Sequence, residues 1–380
     1  MQQQKIRVAV VGLGFGAEFV PIYQDHPQVA NVTLCDLDEA RLTATGERFG
    51  IERRLKSFED VLRDDGIDAV HLVSGIPDHA RQALAVLEAG KHCACTVPMA
   101  TSLADLERIV QAQRRSGKNY MMMETAVYTR QFLYARELQT KGDFGRLQFL
   151  RGAHYQDMER WPSYWAGLPP MWYATHAIGP LLAIAAARAT RVHCFGSGEM
   201  RAELRQPYQN PWPVETAIYQ LDKPNLAAEV TRTLFHCARP YMESFTIYGE
   251  NACYEWQMEW EPPVLFRFSP VIPGELRVES PLERPTPPDR AARLPPEIQR
   301  YTQRFVYSNQ QKHLSFEQGG GHHGSHPHLV HEFVSSILEG RQPWIDAVTA
   351  ANWSAAGICA HESALHGGAE VLIPDFSQIR

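Results

Sequence analysis

Val10-Val11-Gly12-Leu13-Gly14-Phe15-Gly16-Ala17 stands between a short continuous apolar run, Ile6–Val11, and a helix-like pattern. An unbroken apolar run of that length is what a strand buried on both faces of a parallel sheet requires. Glycines at 12, 14 and 16 suit a turn that is tight and lets phosphate oxygens reach the backbone, with the following helix N-terminus facing a pyrophosphate. Glycine spacing alone is a weak signal. Here the next strand, Val32–Cys35, ends in Asp36, at about the 20-residue spacing where a carboxylate accepts both ribose hydroxyls of a dinucleotide. Such a carboxylate repels a 2′-phosphate, so the expected cofactor is NAD rather than NADP. The expected contacts are Gly12, Leu13, Gly14, Phe15, Gly16 and Asp36.

Outward from this turn the chain alternates strand and helix. Glu39–Phe49 reads as a helix, Ala69–Val73 as a strand, and Ala80–Ala89 as a helix closed by Gly90. His92–Val97 and Asn119–Met123 read as strands on either side of the helix Leu103–Ser116, which stops at Gly117. This alternation predicts an α/β fold, a doubly wound parallel Rossmann sheet. From about Thr125 longer polar/apolar alternations take over: Leu147–His154, Glu215–Gln220, Ala227–Leu234 and Glu243–Tyr248. They predict a C-terminal α+β domain with an open, largely antiparallel sheet covered on one face. The domains expected are residues 1–124 for the dinucleotide and 125–380 for substrate binding and oligomerisation. Asp157–Met171 reads as an irregular loop and Thr175–Ala187 as a helix. Pro262–Gln299 should wrap the surface, Gly319–Ser325 should be a flexible Gly/His loop, and His328–Leu338 and Ala347–Leu365 should be helices.

A formal net charge of −6 argues against nucleic acid, whose binding needs a basic field. The first residues run straight into a strand without a basic n-region or cleavage site, and no apolar run approaches a membrane span, so a cytoplasmic protein is expected. Cys35, Cys93, Cys95, Cys194, Cys237, Cys253 and Cys359 lie mostly in apolar stretches, as small buried thiols of a reducing compartment do. Cys93 and Cys95 share a strand face, but no second pair has ligand spacing, so no metal is expected there.

Beyond these readings the chain resembles the glucose-fructose oxidoreductase/inositol dehydrogenase (Gfo/Idh/MocA) superfamily over nearly its whole length. The glycine turn matches. So do Gly75-Ile76-Pro77-Asp78-His79 and the helix ending Leu87-Glu88-Ala89-Gly90-Lys91-His92, where the family has a cofactor-contacting turn and the phrase EAGKHVLCEKP. The segments Glu124–Arg130 and Gly145–Tyr155 are similar to the start of the family's substrate domain, whose outer sheet face often forms a dimer interface. The resemblance implies Ser74, His79 and Glu124 as further cofactor-side residues, a small sugar-like substrate, and a homo-oligomer, dimer or tetramer.

Two departures are informative. Family dehydrogenases carry Glu-Lys-Pro after the fourth strand, and the lysine helps deprotonate the substrate hydroxyl; here Thr96-Val97-Pro98 stands instead. They also carry Asp-x-x-x-His, of which His176 remains while Trp172 replaces the aspartate. Tyr173-Ala174-Thr175-His176 looks like the YPTH motif of NAD-dependent α-N-acetylgalactosaminidases, a branch that also lacks the lysine. Met121–Glu124 and Gly319–Gly324 resemble that branch's MxxEN stretch and GGHGG loop. NAD-dependent sulfoquinovosidases are another branch with the same strategy. The resemblance therefore implies a glycosidase that oxidises the sugar at C3 for the length of one turnover. The ketone acidifies the C2 proton, the aglycone leaves from C1, water adds, and the oxidation is reversed.

In that scheme Tyr173 removes the C2 proton, His176 handles the C3 hydroxyl proton, and His323 assists the leaving group. Tyr173 and His176 are three apart, on one face of a helical turn. His154, Trp172 and Arg160 are the expected sugar contacts; Arg160, with Arg130 and Arg151, would suit an anionic sugar. For each there is a plainer reading: packing for the imidazoles and for Trp161, Trp165 and Trp172, a solvated surface for the arginines and Glu124. The cluster His322, His323, His326, His328, His331 raises zinc, but only Glu332 could complete it, and substrate contact by His323 is the better reading. The alternatives on the same fold are a net NAD-dependent sugar dehydrogenase or 3-keto sugar reductase, and a non-catalytic ligand sensor.

Overall fold

The structure, a computed structural model, describes residues 4–206, 208–235, 239, 241–277, 279–303 and 322–379. Two compact units emerge. The first comprises Met1–Tyr128, Arg290–Ala351 and Phe376–Arg380, the second Thr129–Asp289 and Asn352–Asp375. The contiguous division at residue 124 expected from sequence thus stands beside a packing in which the chain returns to its first unit. Pro262–Gln299 does not simply wrap the surface: Leu294 and Ile298 within it, and Tyr301 just after it, are buried in the first unit.

In the first unit β1 (Ile6–Val11), β2 (Val29–Cys35), β3 (Arg54–Leu55), β4 (Ala69–Leu72), β5 (His92–Cys95) and β6 (Tyr120–Met122) form a parallel sheet in the order β3-β2-β1-β4-β5-β6. The reversal of direction at β1/β4 is the topological switch point at which such sheets bind ligands. The central strands are buried on both faces, as their unbroken apolar sequence requires: Val8, Ala9, Val10, Val70 and Ala94 are fully buried. The helix after the glycine turn is short. α1 (Leu13–Gly16) ends and α2 (Val20–Asp25) begins with Pro21 in its first turn, because a proline cannot donate the hydrogen bond that would continue a single helix. α3 (Glu39–Phe49) is capped by Asp38, whose side chain accepts from the backbone N–H of Ala40 and Arg41, and ends at Gly50 in the left-handed conformation. α4 (Phe58–Arg63), α5 (His79–Glu88) and α6 (Leu103–Ser116) complete the layers.

The second unit opens with α7 (Arg130–Lys141), capped by Thr129. Its sheet contains β7 (Leu147–Gln156), α8 (Thr175–Ala185) packs on it, and β8 (Ala189–Ser197), β9 (Val214–Leu221), β10 (Ala227–Thr233), β11 (Tyr241–Gly249), β12 (Ala252–Trp256), β13 (Val264–Arg267), β14 (Leu282–Glu283) and β15 (Val371–Leu372) follow. The order is β14-β13-β12-β11-β7-β10-β9-β8-β15, antiparallel throughout except between β7 and β10. The expectation of an open, largely antiparallel sheet beside a Rossmann sheet is met. Gly152 on β7 is what lets α8 lie close: a Cβ there would sit 2.3 Å from the Ala177 carbonyl oxygen. No helix among the described residues is long and apolar enough to cross a membrane.

Candidate cofactor and catalytic sites

Each glycine of the first turn has a separate task. Gly12 has φ +89°, and a Cβ on it would meet the Val73 carbonyl oxygen at 2.5 Å, so no other residue fits without shifting backbone. Gly16 lies under the short helix, where a Cβ would press on Val10 at 3.1 Å and Val73 at 3.2 Å. Around Gly14 nothing lies within 4 Å of an added Cβ. That open face, at the start of α1 and at the switch point, is the cradle a phosphate needs and a side chain would fill.

Asp36 is 7 % exposed and accepts from the Leu13 N–H at 2.7 Å and the Asp38 N–H at 2.8 Å, with Arg41 Nη1 3.5 Å away. The carboxylate therefore fixes the glycine turn as well as standing at the expected ribose position, a tie that sequence spacing does not reveal. Cradle and carboxylate together fit a dinucleotide. Phe15 presents its ring edge to Phe19 at 5.5 Å and to His326 at 5.4 Å.

The other expected cofactor-side residues are engaged with their own chain. Ser74 Oγ donates to Gln82. His79 is 1 % exposed, with Nδ1 2.7 Å from the Pro98 carbonyl oxygen and Nε2 3.1 Å from that of Ser74, so it ties the turn after β4 to the turn after β5. Burial pushes the His79 imidazole below its usual value, against the pull of both carbonyls. Glu124 is fully buried and its Oε1 accepts from the Ala126 N–H at 2.9 Å, capping the turn Thr125–Tyr128 rather than forming a surface carboxylate. Val97 is 6 % exposed, an apolar side chain among buried neighbours Met99 and Ala100. Burial raises the Cys95 thiol to about 12 and holds that of Cys93 well above the ordinary thiol value, as expected of packing groups.

Of the Gly/His loop, Gly319–Gly321 lie outside the described residues. His322 and His323 are buried and both hold positive φ, 38° and 57°, before Gly324 at 84°. Consecutive non-glycine residues in that region are uncommon and mark a conformation imposed by surroundings. His322 and His326 pack on Phe15 of the cofactor turn, so the return of the chain after residue 290 brings this loop to the glycine turn. His331 Nδ1 lies 3.0 Å from His26 Nε2, and Glu332 receives Arg341 in a two-pronged pair. Among the described residues no three His, Cys, Asp or Glu side chains gather as a metal site would require.

In the second unit, the Trp/Pro-rich segment forms 3₁₀ turns, Ser163–Trp165 and Pro170–Tyr173, that deliver Tyr173 to the start of α8. Tyr173 Oη lies 3.2 Å from His176 Nε2. Their rings meet edge to face at 5.1 Å, and Trp165 meets the Tyr173 ring edge to face at 4.8 Å. His154 is 1 % exposed and packs its ring on His176 at 4.8 Å. Trp172 is half-buried against His361 and Tyr208. Arg160 is exposed and has φ 71°, and Arg151 pairs with Glu229 at 2.9 Å.

Four functional-looking residues escaped the sequence reading: Glu215, Arg232, Glu243 and His361. Glu215 is fully buried; its Oε1 is 2.6 Å from His361 Nδ1 and its Oε2 accepts from the Met171 N–H at 2.8 Å, which anchors the turn carrying Tyr173. The available signal was a charged residue on the apolar phase of an alternating strand, as in Glu215-x-Ala217-x-Tyr219 and Ala228-x-Val230-x-Arg232.

The glycine cradle, the carboxylate and the 3-2-1-4-5-6 sheet define a dinucleotide-binding Rossmann domain. Residues 6–124 match the family model for Gfo/Idh/MocA, "Oxidoreductase family, NAD-binding Rossmann fold". A glycosyl hydrolase family 109 protein of Bacteroides thetaiotaomicron is 28 % identical over 196 residues, 47 % of this chain and 42 % of that protein. One from Shewanella baltica is 28 % identical over 198 residues, 46 % of this chain and 43 % of that protein. The matched stretch thus spans less than half the length of these relatives. Among solved structures, levoglucosan dehydrogenase in complex with NADH and levoglucosan is similar with TM-score 0.74 and 18 % identity, covering 98 % of this chain and 100 % of that one. An oxidoreductase from Agrobacterium radiobacter in complex with NAD+, L-tartaric acid and magnesium gives TM-score 0.75 at 16 % identity, covering 99 % and 100 %. These likenesses establish a common fold.

Proposed function

We propose that this protein is an NAD-dependent glycosidase that works by transient oxidation of its sugar. The observation that carries the reading is the Tyr173–His176 pair, a phenol on the turn before α8 and an imidazole in its first turn, joined at 3.2 Å. When bound, NAD supplies reversible oxidation at C3 of the sugar. Gly12–Gly16 and Asp36 would hold it. Tyr173 Oη takes the C2 proton, which a neighbouring ketone has made acidic. His176 Nε2 takes and returns the proton of the C3 hydroxyl, and His323 protonates the leaving oxygen. Val97, buried and apolar where dehydrogenases of the family place lysine, leaves these proton transfers to the tyrosine and imidazoles. The names of the family 109 relatives agree with a glycoside substrate.

The exposed apolar side chains Phe195, Ile218 and Leu372, on adjoining strands β8, β9 and β15, support a homo-oligomer formed through the open sheet face. Cys35, Cys93, Cys95, Cys194, Cys253 and Cys359 are free and buried, which suits a reducing cytoplasm; Cys237 lies outside the described residues.

The test is a panel of nitrophenyl glycosides, N-acetyl sugars and sulfoquinovosides with NAD+ present. Aglycone release without accumulation of reduced nicotinamide is expected. Stoichiometric reduced nicotinamide with no aglycone would instead make the protein a sugar dehydrogenase or 3-keto sugar reductase.

A further inference from the structure

Four ionisable side chains cross the second unit's sheet on one rung. The register pairs Arg232 on β10 with Glu215 on β9 and with His154 on β7, and His154 with Glu243 on β11. All stand on the core face and none is more than 2 % exposed. Removing charge from water is unfavourable unless the charge is held and matched. Arg232 is held tightly: Nε donates to the Tyr173 carbonyl at 2.8 Å, Nη1 to the His154 carbonyl at 2.8 Å and to that of Thr233, and Nη2 to Gln156 Oε1 at 3.3 Å. These bonds fix the guanidinium plane and place its Cζ 5.1 Å from the Tyr173 ring centroid, over the ring.

We propose that Arg232 is the positioning cation that readies the Tyr173 phenol to give up its proton. A neutral phenol ring attracts a cation only through its quadrupole. A phenolate spreads a full negative charge into the same ring, so the attraction to Arg232 grows on ionisation. An arginine keeps its charge at any working pH. The proton released goes to water, since Tyr173 is half-buried rather than enclosed, which leaves His176 Nε2 to the C3 hydroxyl proton; the phenolate then accepts the sugar's C2 proton.

The opposing groups are accounted for. Glu215, one strand from Arg232, is engaged by His361 and the Met171 N–H, and Glu243, two strands away, accepts from the Tyr241 hydroxyl at 2.6 Å. Tyr173 itself is half-buried, so burial penalises its phenolate less than it would a core tyrosine.

The role rests on the reading in which Tyr173 acts as a base, but its test does not need a sugar. The phenolate absorbance of the full-length protein is titrated from about pH 6 to about pH 11, with the Tyr173→Phe protein subtracted. Tyr173 is expected to ionise roughly one to two pH units below the ordinary tyrosine value of about 10. Ionisation at or above the ordinary value overturns the proposal, with no arginine variant required. In Arg232→Gln, confirmed folded by circular dichroism, the titration should return toward the ordinary value, whereas Arg232→Lys should keep part of the shift. An unchanged titration in folded Arg232→Gln also overturns it. A low-titrating Tyr173 in a protein that cleaves no glycoside would sink the glycosidase reading and leave this inference standing. Glycoside cleavage with an ordinary Tyr173 would do the reverse.

Discussion

Replacing Gly12 and Gly14 by alanine separately should break two different things, although the residues are two positions apart in one turn. At Gly12 the backbone is at φ +89° and the added methyl would sit 2.5 Å from the Val73 carbonyl oxygen. Alanine in the left-handed region costs about 1–2 kcal/mol, and forcing a methyl into occupied space costs about 1–3 kcal/mol more. The middle of that sum is roughly 3 kcal/mol, which at about 2–4 °C per kcal/mol lowers the first unit's Tm by about 6–12 °C. At Gly14 φ lies outside the left-handed region and no atom stands within 4 Å of the new methyl. Stability should hold, or rise by up to about 0.5–1 kcal/mol because alanine favours a helical turn. The methyl would nevertheless fill the face through which a pyrophosphate reaches the backbone, so NAD affinity should fall at least tenfold. The assay is thermal unfolding without cofactor, paired with NAD titration by fluorescence or calorimetry. A Gly14→Ala protein that binds NAD like the unmodified one, or a Gly12→Ala protein that melts like it, would refute the assignment of the two glycines.

Asp36→Ala should weaken NAD binding by roughly 1.5–3 kcal/mol, the worth of a charged hydrogen bond, and also loosen the Leu13 turn; equal affinity of the unmodified protein for NAD and NADP would contradict the carboxylate's role. Burial and the neighbouring His331 lower His26 to about 4. The native imidazole thus resists protonation between the unfolded value of about 6.5 and that lower one, so stability present above pH 6.5 is lost as pH falls toward 4, by on the order of 3 kcal/mol; urea midpoints for the unmodified protein and His26→Gln should converge at low pH, and parallel profiles would argue against it. Glu215→Leu leaves the Met171 N–H and His361 without their buried acceptor and should destabilise the second unit by roughly 3 kcal/mol, read from urea unfolding; a melting curve unchanged from the unmodified protein would mean the anchor is dispensable. Val97→Lys places an ammonium among apolar neighbours, where it must lose its proton or disturb the packing; glycoside cleavage should fall while NAD binding persists, and increased net nicotinamide reduction would count against the glycosidase.

Local pattern alone determined the Rossmann half. The unbroken apolar run Ile6–Val11, the glycine turn and Asp36 act over short stretches, and α3 and α6 announce their ends through Asp38 and Gly50, Ser102 and Gly117. Alternation likewise marked β7, β9, β10 and β11, and the Tyr-x-x-His spacing pointed to the pair Tyr173 and His176, although Tyr173 ends the 3₁₀ turn before α8, a turn that Glu215 on β9 anchors. What lay beyond the sequence was decided by distant segments. The Gly/His loop end at His322 and His326 meets Phe15, some three hundred residues earlier, only because the chain returns to its first unit after residue 290. Each of Glu215, Arg232, His154 and Glu243 can be seen singly as a charged or titratable residue on the apolar phase of a strand. Their alignment on one rung is set by register between strands, and a slip of one residue would turn each to the other face. Gly152 completes the arrangement, since its missing Cβ lets α8 lower His176 onto His154, a contact that no spacing along the chain encodes.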